Sequence, residues 1–315
     1  MMYYFIVNFS SRTGKTRKIW IDIERELKQK NVQYEAYITE YKGHAKELAE
    51  KLCNKALRWK QEHDGDTVCL VVVGGDGTVN EVINGMHHFE EVFFGLIPAG
   101  SGNDLCRGLG LSKEPVKALE AILTAREPYH MDLGHVTDGE GKQQYFAISS
   151  GIGIDADVCR MALTSKLKKG LNRLGLGSLT YVLLTIKALF TMPTTEVEAV
   201  FEGTVKKRIE RMIFVAGMNH PWEGGGVPMS PRADAQDGKL SVCVVYGIPR
   251  WKAFFLLPLL VMGKHEGIRG FEFINCERYE LHLQSPMVLH GDGEYLGKQT
   301  LIRYVCEKGK LKVLK

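Results

Sequence analysis

Residues 70–81, LVVVGGDGTVNE, set an aspartate among three glycines at the end of an apolar run. Glycines let backbone N–H groups close around an anion, and a helix that begins at such a turn adds the positive end of its dipole. Gly74, Gly75, Gly77, Thr78, Asn80 and Glu81 therefore read as one wall of a phosphate site, with Asp76 as the acid inside it. A second glycine turn, PAGSGNDL at 98–105, offers Ser101 and Asn103, with Asp104 beside them. Ahead of both, NFSSRTGK at 8–15 brings the donors of Asn8, Ser10, Ser11 and Thr13 and the charge of Lys15, and Thr39 follows a further apolar run. None of these loops is GxxxxGK(S/T), and none is GxGxxG with a suitably placed acid, which tells against P-loop and dinucleotide sites. A lone GGDG turn is compatible with a turn and nothing more. A second one after the next apolar run makes coincidence a poor explanation.

Such loops need a sheet edge to hold them, and the first 130 residues supply one. Four strand-like runs, YYFIV, VQYEAYI, TVCLVVV and VFFGLIP, alternate with stretches of helical period, the pattern of an α/β layer with a parallel sheet. Ile19, Ile23 and Leu27 share one helical face, and Ala45, Leu48 and Leu52 another. After Thr78, the residues Val79, Val82, Ile83 and Met86 fall at i, i+3, i+4 and i+7, so GGDGT is a strand-to-helix turn. All four polar loops then follow strand ends, where open α/β sheets bind their ligands. Beyond about residue 130 the pattern changes to short β-rich segments, which predicts a sandwich or barrel, interrupted by two helical stretches at about 156–192 and 250–264.

Composition bounds the function. With 25% charged residues and a net charge of +4, the chain is an ordinary globular protein that gives no argument for nucleic acid, while anionic ligands or an anionic membrane surface remain compatible. Seven cysteines without CxxC or framework spacing fit a reducing cytoplasm. The N-terminus, MMYYFIVNFSSRTGK, lacks a basic region ahead of its apolar stretch and reads as a buried strand rather than a signal peptide. The longest apolar stretch, AFFLLPLLVM at 253–262, is too short to span a bilayer. It and the stretch at 165–190, which opens with Lys166, Lys168, Lys169 and Arg173, read either as core helices with solvated cationic ends or as surfaces that rest on anionic lipid.

GGDGTVNEVINGM at 74–86 followed by IPAGSGNDLCRGLG at 97–110 resembles the catalytic signature of the diacylglycerol kinase family, in its bacterial lipid kinase form. MDLGHV, GIGIDADV, AQDGKLSV and HGDGEYL resemble that family's later motifs in the family's order, so the likeness covers nearly the whole chain. NAD kinases and phosphofructokinases share a GGDG turn but not its continuation. The resemblance implies an α/β plus β fold: an N-terminal nucleotide-binding domain at 1–130, then a β-sandwich domain at 131–315 whose last residues are free to return to the first. It implies ATP on the glycine loops, Mg²⁺, and transfer of the γ-phosphoryl group to a lipid hydroxyl in a cleft between the domains.

By the same resemblance Asp76 and Asp132 share the catalytic metal, and Glu294 is the base that handles the acceptor hydroxyl. A structural Mg²⁺ would take the Asp237 carboxylate and the carbonyls of Asp234 and Lys239. His290 reads as an ordinary polar histidine. Diacylglycerol is the first-choice acceptor. Another lipid, a nucleotide-binding regulator without turnover, and a kinase of a soluble substrate such as NAD⁺ are the competing readings. The partner is lipid met peripherally at the inner membrane face, and a homodimer stays open.

Overall fold

The computed structural model describes residues 1–11, 15–63, 66–164, 177–192 and 194–315, with the side chains of 162–164 and 177–182 outside the description. The basic cluster Lys166, Lys168, Lys169 and Arg173, and Thr13, therefore lie outside the described residues. The chain divides into two compact units, Met1–Met131 with Gly309–Lys315, and Asp132–Lys308.

In the first unit, β1 (Met2–Val7), β2 (Tyr34–Ile38), β3 (Val68–Gly74) and β4 (Val92–Pro98) form a parallel sheet in the order β4-β3-β1-β2. Strands β1 and β3 are buried along their whole length, as a sheet covered on both faces requires. On one face α1 (Thr16–Gln29) and α5 (Pro115–Thr124) bring Trp20, Ile23, Leu27, Leu119 and Ile122 onto Phe5, Val7, Val71 and Val73. Helices α2 (His44–Glu62) and α3 (Asp76–Ile83) pack on each other and on β1 and β3. A short α4 (Asp104–Gly108) follows the second glycine turn. Residues Gly309–Lys315 close the sheet at its other side, where Val313 lies parallel beside Phe94.

The second unit is antiparallel. It runs through β5 (Tyr129–Asp138), β6 (Gln143–Phe146), β7 (Ser149–Gly153), α6 (Ile154–Thr164), α7 (Gly177–Thr191), β8 (Thr195–Phe201), β9 (Val205–Met218), β10 (Leu240–Tyr246), α8 (Arg250–Val261), β11 (Phe271–Cys276), β12 (Arg278–Gly291) and β13 (Glu294–Val313). Strands β9 and β12 each pair with three neighbours: β9 with β10 and β12 with β13, while part of each pairs with β8 and another part with β7. The pairing therefore closes on itself around a core that includes Phe146, Ile152, Val215, Leu281, Leu289 and Ile302. Register shifts between His282 and Met287 and between Val245 and Tyr246 bend the strands at such corners. All seven cysteines are free thiols, and burial pushes the Cys276 and Cys306 thiols up to about 12.

Candidate active site

The two glycine turns of the first unit are packed backbone to backbone. A Cβ on Gly100 would stand 2.5 Å from the Gly75 Cα, and one on Gly75 2.9 Å from the Gly100 Cα. A Cβ on Gly74 would meet the Thr78 side chain at 2.8 Å. None of these three glycines has a positive φ, so they are required by close approach and not by conformation. Asn103 adopts φ 53° and locks the second turn by accepting the Gly100 N–H and donating to the Gly100 carbonyl, each at 3.0 Å.

Asp76 is the first residue of α3, and its carboxylate also receives the Leu105 N–H at 3.3 Å, so both turns converge on it. Asn8 donates to Thr78 Oγ1 at 2.9 Å and accepts the Ser10 N–H, which draws the loop after β1 into the same place. Thr39 is bonded through its N–H to Val7 at the carboxyl end of β1. Ser101 and Gly77 are exposed, while Asn80 is buried in α3. Glu81 accepts the Gly43 N–H at 2.9 Å and so holds the loop ahead of α2. Of the residues read as phosphate-facing, Asn8, Ser10, Gly74, Gly75, Asp76, Thr78 and Asn103 are brought together by these contacts.

In the second unit, Gly291 pairs with Glu294 across the two-residue turn Asp292-Gly293, with φ 50° and 81°. This is the positive-φ hairpin turn that an Asp-Gly pair favours. The Asp292 carboxylate accepts the N–H groups of Ala147, Ile148 and Ser149 at 2.8–3.1 Å, anchoring the turn to the chain ahead of β7. Glu294, half-buried, is the first residue of β13.

Beneath the turn is a constellation that the sequence reading passed over. His290 is fully buried; its Nδ1 accepts the Gly293 N–H at 3.2 Å, which leaves the ring proton on Nε2, and Nε2 donates to Asp155 Oδ2 at 2.6 Å. Glu223 Oε1 lies 3.9 Å from the same Nε2. Burial by itself would raise the Asp155 carboxyl, but the neighbouring His290 and the hydrogen bonds from His290 and Glu223 outweigh it and hold that carboxyl below its ordinary range. The ligand atoms of Asp155, Cys159, Glu223 and His290 lie within 4.8 Å of one another, a set of types that can bind a metal. Within this set the His290 ring and the Asp155 carboxylate are joined by a hydrogen bond, and Glu223 lies alongside. Both GIGIDADV and HGDGEYL contain members of the set, yet His290 and Asp155 are 135 positions apart and nothing local pairs them.

Asp132 is fully buried, and its carboxylate accepts the Gly238 N–H at 2.7 Å. In the same turn the exposed Asp234 and Asp237 carboxylates accept the N–H groups of Gln236 and Lys239. Gly238 has φ +78°, the left-handed conformation that the turn needs. Carboxylates and carbonyls are the oxygen donors a hard cation takes, so the types present at 234–239 fit Mg²⁺ while already having a structural use.

A family model described as the diacylglycerol kinase catalytic domain matches residues 2–136, and one described as the YegS C-terminal NAD kinase β-sandwich-like domain matches residues 148–315. YtlR of Bacillus subtilis (strain 168), provisionally named a lipid kinase, is 28% identical over 301 residues, 94% of each chain. The diacylglycerol kinase of Staphylococcus carnosus (strain TM300) is 26% identical over 294 residues, 93% of this chain and 88% of that one. A crystal structure of a diacylglycerol kinase from Bacillus anthracis str. Sterne aligns with a TM-score of 0.70 at 18% identity, covering 99% of this chain and 96% of that one, which shows the shared fold.

Proposed function

The chain belongs to the diacylglycerol kinase catalytic-domain family, with the YegS-type C-terminal domain, and from that premise we propose that it is an ATP-dependent lipid kinase. The γ-phosphoryl group of ATP passes to a lipid hydroxyl, first of all that of diacylglycerol, giving phosphatidic acid. The observation that carries the reading is the pair of interlocked glycine turns converging on the Asp76 carboxylate at the start of α3.

The first unit holds the nucleotide. Backbone N–H groups at the start of α3, with Asn8, Ser10 and Thr78, face the phosphates, and the helix dipole favours their charge. Asp76 is the residue that would hold Mg²⁺, because a carboxylate beside a phosphate cradle supplies the hard oxygen that the ion takes. Bound there, the ion would neutralise phosphate charge. Asp132 and the turn at 234–239 are further candidates for metal, as the family likeness suggests.

Glu294 acts on the acceptor. It orients the lipid hydroxyl and takes its proton as the new O–P bond forms, while the bond from the γ-phosphorus to the β–γ bridging oxygen breaks and ADP leaves. His290 and Asp292 hold the turn that presents it. No helix among the described residues is long and apolar enough to cross a membrane, which suits an enzyme that visits the inner membrane face peripherally.

The test is a panel. Diacylglycerol, ceramide, a sphingoid base and an isoprenoid alcohol, each in mixed vesicles, and NAD⁺ in solution are incubated with labelled ATP and Mg²⁺. Label in phosphatidic acid is expected. Label in another lipid alone moves the substrate, label in NAD⁺ alone makes the chain a soluble-substrate kinase, and ATP binding without any transfer makes it a regulator.

A further inference from the structure

Helix α8 is apolar on two opposite faces. Its inner face brings Ala253, Leu257 and Leu260 onto the cluster around Phe214 and Val245. On the outer face, Trp251, Phe254, Phe255 and Met262 recur at i, i+3, i+4 and i+11, one stripe of a 3.6-residue helix, and Trp251 and Phe255 are 65% and 68% exposed. The stripe continues onto α7, where Phe190, also exposed, lies 6.3 Å ring to ring from Phe254. Arg250 fixes the two helices together by donating to the carbonyls of Phe190 and Met192 at 2.9 and 2.5 Å. A contiguous patch of large aromatic and aliphatic side chains in water is what a monomer normally avoids.

We infer that this outer stripe of α8, with the end of α7, is the surface by which the protein docks on a bilayer that carries anionic lipid. The charge around the patch identifies the occupant. Residues 177–192 and 247–264 contain Lys187, Arg250, Lys252 and Lys264 and no acidic residue. Lys187, Lys252 and Lys264 are exposed. A second copy docked isologously would set these cations against themselves, whereas an anionic headgroup layer neutralises them while the aromatics enter the acyl boundary. Tryptophan beside arginine and lysine at the rim of an apolar face is the arrangement of an interfacial helix. At about 18 Å for twelve residues, α8 can lie in the interface but cannot cross it. The inference deepens the lipid kinase reading, on which it rests for the presence of a bilayer substrate.

The test uses the full chain without ATP or acceptor. Sedimentation with sucrose-loaded vesicles of phosphatidylcholine, with and without phosphatidylserine, compares wild type with Trp251→Glu/Phe255→Glu and with Trp251→Leu/Phe255→Leu. Wild type should bind, more strongly with phosphatidylserine. The Glu pair should lose about tenfold or more in partitioning, and the Leu pair much less. Both side chains are exposed, so the urea midpoint should change little. Should the Glu pair misfold, quenching of wild-type Trp251 by brominated acyl chains, taken as the difference from Trp251→Leu, reads the same contact. Unchanged binding by the Glu pair, no quenching, or a wild-type dimer in sedimentation velocity that the Glu pair dissolves would overturn the inference. If the Glu pair binds normally while wild type phosphorylates lipid, the docking surface falls alone; binding without phosphorylation of any lipid removes the kinase reading alone.

Discussion

At Gly75 the missing side chain makes room for another backbone, whereas at Gly293 it permits a backbone conformation. The first turn has ordinary φ and no space. The second has φ 81° and open space where a Cβ would stand. Two motifs that look alike in sequence, GGDG and GDGE, are therefore rigid for different reasons, one by contact between loops and the other by conformation together with the Asp292 anchor.

The largest effect should come from crowding the first turn. Gly100→Ala places a Cβ against the Gly75 Cα and the Asn103 side chain, and neither backbone can give way cheaply. A stability loss of about 3 kcal/mol is expected in urea unfolding, with ATP affinity falling alongside. A Gly100→Ala protein as stable as wild type would break the contact half of the comparison. Gly75→Val tests phosphate binding poorly for the same reason, since it would disturb the turn with or without a nucleotide.

Next in size is Asp292→Ala, which strips a charged acceptor from three backbone N–H groups and should cost about 2 kcal/mol. Gly293→Ala meets nothing and incurs only the left-handed penalty of about 1–2 kcal/mol, with Gly293→Asn costing less than Gly293→Ala. Equal losses for Ala and Asn at 293 would remove the conformational half of the comparison.

The smallest effect is a change in slope. Folded Asp155 binds its proton less readily than the unfolded chain does, so its network contributes stability above the ordinary carboxylate pKa of about 3.9 and loses it as pH falls through the lower folded value. Asp155→Asn should flatten the decline of stability below about pH 4, whatever its cost at neutral pH. An unchanged acid limb would separate Asp155 from that decline.

The parallel sheet was legible because β1, β3 and β4 are apolar runs, β2 alternates around Glu35, and the helices between them have a clear period. Long strands of the second unit were less so: YELHLQ and TLIRYVC are fragments of β12 and β13, which change neighbours and register along their length. Glycines at 74 and 75 announced a special turn, but sequence cannot distinguish room for phosphate from room for Gly100. His290 and Asp155 were invisible as a pair because the closing of strands joins them, and hydropathy alone could not show that α8 turns only one of its two apolar faces inward.

The most direct measurement is phosphate transfer to diacylglycerol in mixed vesicles by wild type and Glu294→Gln, with ATP affinity measured on the same preparations. Glu294→Gln keeps the shape and removes charge and basicity. Transfer by wild type is expected, with a fall in kcat of roughly 10²–10⁴-fold in the variant, the usual contribution of a positioned base, and ATP affinity unchanged. Near-normal transfer by a folded Glu294→Gln protein would contradict the role of Glu294 as the base.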